Sequence, residues 1–212
     1  MKRVQTELYT AKEIDIIDEF IATYFGSYES VFHEITSPDI HLDICIITPT
    51  PKRNYYTLVT MGMGAHRMNV PRELKNRQLD YAELLITLPS DWNLNSEDER
   101  WYWPIRWLKV LARLPIEQDS WLGFGHTVPG RSVFADNTNL CGFLITYPYH
   151  FGVSASVCRV SNKKSVRFYQ IIPVYQDEIN YKLEHGVVAL EDLFPDEYFK
   201  VIDINRRSVL DI

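Results

Sequence analysis

Residues 55–107 constrain this chain more than any other stretch. YYTLVTM alternates Tyr56, Leu58 and Thr60 against Tyr55, Thr57, Val59 and Met61, the period of a half-buried strand. Gly62 and Gly64 follow at once, and glycines there let the backbone turn sharply or lie against another backbone. From His66 to Asp80 the chain is polar and basic, with one helical turn expected beyond Pro71. AELLITL then reads as a strand buried on both faces through most of its length. Glu97, Asp98 and Glu99 sit where a helix N-terminus favours negative charge, and Pro104 suits a first helical turn, where its missing N–H is harmless. Beyond it Ile105, Trp107, Leu108, Val110, Leu111 and Leu114 leave only Arg106, Lys109 and Arg113 polar. Such a helix packs on a sheet, and Pro115 is expected to end it by disfavouring helical geometry at Leu114.

On the N-terminal side, Thr10 with Glu13 forms a capping-box pattern ahead of Ile14, Ile17, Phe20, Ile21, Tyr24 and Phe25 at helical spacing, with Gly26 as the stop. VFHEI is a short strand candidate. In residues 40–47, Ile40, Leu42, Ile44 and Ile46 share one face and His41, Asp43, Cys45 and Ile47 the other, a partly polar reverse side. Pro49 and Pro51 end that strand, and a hairpin leads into Tyr55. On the C-terminal side, residues 116–139 read mostly as loop, with a short extended piece around WLGFGHTV. CGFLITY and VRFYQIIPVY are two further strands. Residues 149–161 are the one candidate linker. Residues 177–185 read as a helix stopped by Gly186, VVALEDLF as another helical piece, and the tail as extended or helical. Strands and helices mix without βαβ alternation, which favours an α+β fold: one domain over residues 1–212, a mixed and mostly antiparallel sheet with helices packed on it.

A net charge of −6 argues against a nucleic-acid partner, because phosphate binding needs a basic face. Cys45, Cys141 and Cys158 show no pairing or metal spacing and suit buried thiols in a reducing compartment. No signal-peptide pattern and no membrane-length apolar run occur, so a cytoplasmic location and no membrane partner are expected.

No complete catalytic set is visible. His33, His41 and Asp43 have ligand chemistry for zinc or iron and would support a metal-dependent hydrolase, the weaker of the readings because nothing in the sequence fixes His33 near the other two. Gly62-Met63-Gly64 and Gly123-Phe124-Gly125 lack the third glycine of a dinucleotide loop, having Arg67 and Val128 there, and read as tight turns or close backbone approaches. Gly152-Val153-Ser154-Ala155-Ser156 ends in serine where a nucleophile elbow needs glycine. Trp92, Trp101, Trp103, Trp107 and Trp121 suit packing around a helix start better than a ligand platform. No cofactor and no metal are expected.

The order HEI, IHLDICIITPT, YYTLVTMGMGAHRMNVP, AELLITLPSDW, WPIRWLKVLARLP, WLGFGHTV resembles the suppressor-of-fused (SUFU) domain family in its bacterial branch. The resemblance implies a protein-binding domain with no enzymatic activity. The eukaryotic member clasps an extended peptide as an added strand while sequestering a transcription factor. Many bacterial members look like immunity proteins, each neutralising a toxin, often a nuclease. By that resemblance the partner is a cognate toxin, with an intracellular regulator acting by strand addition as the alternative, and Leu114, Gly125, His126, Thr127 and Val128 lie near the partner groove. The family's acidic option before the histidine is absent here, where the residues are Phe124-Gly125-His126.

Overall fold

In the computed structural model, residues 6–211 are described. The strands are β1 (Ser30–Phe32), β2 (Asp43–Ile47), β3 (Tyr55–Met61), β4 (Ala82–Pro89), β5 (Thr127–Pro129), β6 (Gly142–Thr146), β7 (Val157–Arg159) and β8 (Ser165–Val174). The helices are α1 (Ala11–Tyr24), α2 (Glu99–Glu117), α3 (Gln176–His185), α4 (Val187–Glu191) and α5 (Asp196–Lys200). The strands form one sheet in the order β1-β2-β3-β4-β8-β6-β5, with β7 paired to β8. Only the central β4–β8 pair is parallel; the other pairs are antiparallel. The mixed, mostly antiparallel α+β arrangement matches what the residue periods imply.

Strand alternation sorts the core into two faces. Ile44, Leu58, Leu84, Ile86, Phe143, Ile145 and Ile171 meet Trp103, Leu108 and Leu111 of α2. On the reverse face Cys45, Val59, Leu85 and Phe168 meet Ile17, Ile21 and Phe25 of the α1 segment. Leu144, Ile172 and Val174 on that same side are covered by Ile179, Leu190, Phe194 and Phe199 from α3 to α5. The reverse side of β2, expected to be partly polar, is therefore buried beneath α1. The capping box of α1 is present: Thr10 Oγ1 accepts from Glu13 N–H at 3.3 Å, and Glu13 Oε2 accepts from Thr10 N–H at 2.8 Å.

Three expectations need correction. α2 does not open on Pro104. It begins at Glu99, where the N-cap Asp98 carboxylate accepts from Arg100 N–H at 2.9 Å, so Pro104 lies inside the helix. Its missing N–H frees the Arg100 carbonyl, which accepts from Asn137 Nδ2 at 3.5 Å. Nor does Pro115 end α2, which continues to Glu117 and closes with Gln118 N–H donating to Leu114 O at 3.0 Å. The candidate linker is part of the domain. Residues 149–156 make two short 3-10 turns, β7 pairs with β8, and Ala155, Cys158 and Val160 are buried in the α1 core.

The glycine corner after β3 is built around a buried carboxylate. Glu83 of β4 is fully buried, and its Oε1 accepts from Tyr9 Oη at 2.6 Å, Gly62 N–H at 2.9 Å and Gly64 N–H at 3.0 Å. Its Oε2 accepts from Thr60 Oγ1 at 2.6 Å. Burial pushes its pKa above the ordinary carboxyl range, while the four donors pull the other way. Gly62 has φ of +130°, and a Cβ there would lie 1.9 Å from the His41 carbonyl oxygen. A Cβ on Gly64 would lie 2.2 Å from the Tyr9 hydroxyl. The expected close backbone approach is what requires Gly62, and the Tyr9 side chain is what requires Gly64.

Candidate functional site

β5 ends the sheet path, so among the described residues one of its edges carries no neighbouring strand. Its bonds to β6 alternate: Ile145 N–H donates to His126 O at 2.8 Å, and Gly130 N–H donates to Cys141 O at 2.6 Å. The even-numbered residues thus turn their backbone groups toward β6. By the alternation of an antiparallel ladder, Thr127 and Pro129 turn theirs outward. Pro129 offers only a carbonyl, so Thr127 supplies the outward N–H of this edge.

Beside that edge runs a groove of about 560 Å³ lined by Trp107, Val110 and Leu114 of α2 and by Val128, Pro129 and Val133. Val110 and Val133 are exposed, Leu114 half-buried. Arg106, Arg131 and Glu117 stand at its rim. Arg106 pairs with Glu99 at 2.8 Å and lies over the Trp107 ring at 5.6 Å from its centroid. The Trp107 indole N–H is buried with no acceptor among the described residues. α2 presents Trp107, Val110 and Leu114 together because they recur at helical spacing on the side of the helix next to β5.

The five residues anticipated near a partner divide into two groups. Leu114 and Val128 share the groove and Thr127 sits on the free edge. Gly125 and His126 instead shape the loop that leads into β5. Gly125 has φ of +81°, packs against Val187 and donates its N–H to Ile145 O at 2.8 Å. The His126 ring stands edge-on to Trp121 at 4.3 Å between centroids, and burial and the nearby Lys182 charge hold its pKa down. His126 does not line the groove.

Nothing in the residue pattern places His33 near His41 and Asp43, yet the β1–β2 pairing does so. His33 Nδ1 lies 3.2 Å and His41 Nε2 3.4 Å from the same Asp43 oxygen, and His41 Nδ1 lies 2.8 Å from Ser37 Oγ. Among the described residues no group of three or more His, Cys, Asp and Glu side chains is arranged to hold a metal ion. The neighbouring Glu34 is engaged by Arg113 of α2, whose Nη2 donates to both carboxylate oxygens at 2.7 Å while Nε donates to Asp39 at 3.0 Å. That fork ties the β1–β2 connection to α2. The Arg113 pairings could not be read from the sequence, because they join residues 74 and 79 positions apart.

The sheet, the helices on both of its faces and the edge groove define an α+β domain that offers a free strand edge. The chain belongs to the suppressor of fused protein (SUFU) family, whose profile matches residues 38–207. The protein UU111 of Ureaplasma parvum serovar 3 is 29% identical over 203 residues, covering 94% of this chain and 96% of that protein. A SUFU homolog from Neisseria gonorrhoeae superposes with a TM-score of 0.68 at 20% identity, over 95% of this chain and 98% of that one. A chain of the Sufu–Fu complex gives 0.66 at 14% identity, over 98% and 94%. Drosophila Suppressor of Fused gives 0.60 at 16% identity, over 93% of this chain and 50% of that one. Among the described residues no helix is long and apolar enough to cross a membrane.

Proposed function

We propose that this chain works by binding a protein rather than by catalysis, and that its partner is a cytoplasmic toxin domain which it neutralises stoichiometrically. The observation that carries the reading is the unpaired β5 edge lying beside the α2 groove. Strand addition takes affinity from main-chain hydrogen bonds and specificity from pockets that accept alternate side chains. Thr127 supplies the edge donor, and Trp107, Val110, Leu114 and Val128 supply an apolar pocket on one face. Family membership supports this, since a solved relative is a Sufu–Fu complex. The net charge of −6 suits a basic target such as a nuclease, because complementary charge steers association.

The test is co-expression with the product of the neighbouring reading frame. The expected result is a one-to-one complex and loss of that product's toxicity. Val110→Glu and Thr127→Pro should each break the complex while leaving the melting curve within a few degrees of the native one, since both positions are at the surface. A neighbour that is harmless alone removes the toxin reading. A complex that forms with a harmless neighbour and fails with the two variants moves the function to an intracellular regulator that uses the same edge.

A further inference from the structure

The opposite end of the sheet holds a larger cleft that the β5 reading does not use. It has a volume of about 820 Å³ and lies between the β1–β2–β3 corner and residues 92–99, which lead into α2. Its apolar lining includes Phe32, Ile46, Tyr56, Leu94 and Tyr102, with the Phe32 and Tyr102 rings 6.2 Å apart between centroids. β1 is the terminal strand here, so its outer edge is also unpaired among the described residues.

The rim of this cleft is acidic. Glu97 and Glu99 both line it, and no Lys or Arg among the described residues does. Glu99 is already paired with Arg106 at 2.8 Å, and the adjacent Asp98 with Arg100 at 2.6 Å. Glu97 is exposed and joins no ion pair among the described residues. An apolar slot lined by Phe32, Tyr56 and Tyr102, with one uncommitted carboxylate also lining it, forms a receptor for a cation on an apolar stem. The rings attract the cation face-on, and the carboxylate pairs with its head. Phe32 shows this affinity within the chain: Lys109, which lies outside the cleft, holds its Nζ 4.4 Å from that ring centroid.

We propose that this cleft is a second protein-docking site, and that its occupant is an arginine side chain carried by an extended segment laid along the free edge of β1. Arginine fits better than lysine because a planar guanidinium stacks on tyrosine and pairs bidentately with a carboxylate. An added strand beside β1 would direct every second side chain to the α2 face of the sheet, where the cleft opens. Binding here is separate from the β5 groove, so it stands or falls without it.

The probe is a blocked tripeptide with a central arginine between two valines, titrated into the full chain and followed by amide chemical shifts. Saturable shifts confined to β1, Tyr56 and residues 92–99 are expected, with affinity falling as salt rises. Glu97→Gln and Tyr56→Leu should each weaken binding by roughly three- to tenfold, and the norleucine tripeptide should bind at least as much weaker. Glu97 is exposed, so its variant keeps the fold. Equal binding of the norleucine peptide would overturn the proposal by showing a merely apolar slot. Shifts at β5 alone, or no saturable shift at all, would overturn it as well.

Discussion

Replacing Glu83 by leucine isolates the polar centre that fastens the glycine corner. The substitution keeps the side chain's approximate volume but removes the acceptor for the Tyr9 hydroxyl, the Thr60 hydroxyl and the N–H groups of Gly62 and Gly64. A buried donor left without a partner costs about 1–3 kcal/mol, so four would sum to roughly 4–12 kcal/mol if nothing moved. The corner can open to water, which places the expected loss near the lower end, about 4–6 kcal/mol. Domains of this size are stable by only about 5–15 kcal/mol, so Glu83→Leu should shift a urea midpoint by about 2 M or leave the protein partly unfolded in buffer. Glu83→Gln is the control. It retains a carbonyl oxygen for the three donors on Oε1, and burial already favours a neutral group there, so its loss should stay under about 1 kcal/mol. The pH dependence has a definite sign. A carboxyl whose pKa is raised by folding binds more protons in the native state. Its stabilising effect is therefore full below the ordinary value of 4.5 and shrinks as pH rises past it. The native chain's stability relative to Glu83→Gln should fall across that interval. A Glu83→Leu variant as stable as Glu83→Gln would refute the account of the corner.

Three further outcomes follow from other buried groups. Trp103→Ala should lose about 3–5 kcal/mol in chemical unfolding, because Trp103 is fully buried and stacks on Phe134 at 4.8 Å; Trp107→Ala, half-buried, should lose clearly less. Arg206→Met should lose roughly 3–5 kcal/mol by stranding the fully buried Glu178, which Arg206 holds at 2.5 Å, and the double variant with Glu178→Met should recover much of it. His150, packed against Tyr55 and Phe151, is held down to about 4 by burial and the charges of Arg53 and Lys200. The unfolded chain then binds the extra proton below the usual value of 6.5, so melting temperature should drop as pH falls from there toward 4, and His150→Phe should flatten that slope.

Much of the fold was legible because period and punctuation act locally. The two-residue alternation at 55–61 and the apolar run at 82–88 place β3 and β4, and the Thr10–Glu13 box places the start of α1. The rules failed where a distant group changed the local balance. Pro104 looks like a helix opener because its missing N–H harms nothing in a first turn; in the fold Asn137 serves the freed carbonyl, and Asp98 has already capped the helix. Residues 149–161 look like a linker because they carry glycine and small polar residues, and only β8 turns Val157, Cys158 and Arg159 into a strand. The buried pair Glu178 and Arg206 gave no warning, since a charge in a helix or tail normally faces water, and the burial expected of the Glu83 strand did not disclose the four donors that this carboxylate gathers. The cysteine expectation held for two of three: Cys45 and Cys158 are buried, with thiols pushed up to about 12 and about 11, while Cys141 is half-buried.

The candidate site shows why motif resemblance reaches only part of an interface. The glycine and histidine of the Gly125-His126 motif answer to backbone geometry, a positive φ and a ring wedged on Trp121, and they deliver β5 to the sheet without facing the groove. The apolar surface comes instead from α2, where Trp107, Val110 and Leu114 look like ordinary packing residues until the helix is placed beside a strand that has lost its neighbour. α2 also bounds the second cleft through Tyr102 and the residues before its cap, and Arg113 fastens it to the β1–β2 connection. One helix therefore borders both free ends of the sheet. Arg113, paired with Glu34 and Asp39, holds its orientation against the sheet, Arg106 and Glu99 pair within the helix itself, and the exposed Val110 is left facing the groove beside β5.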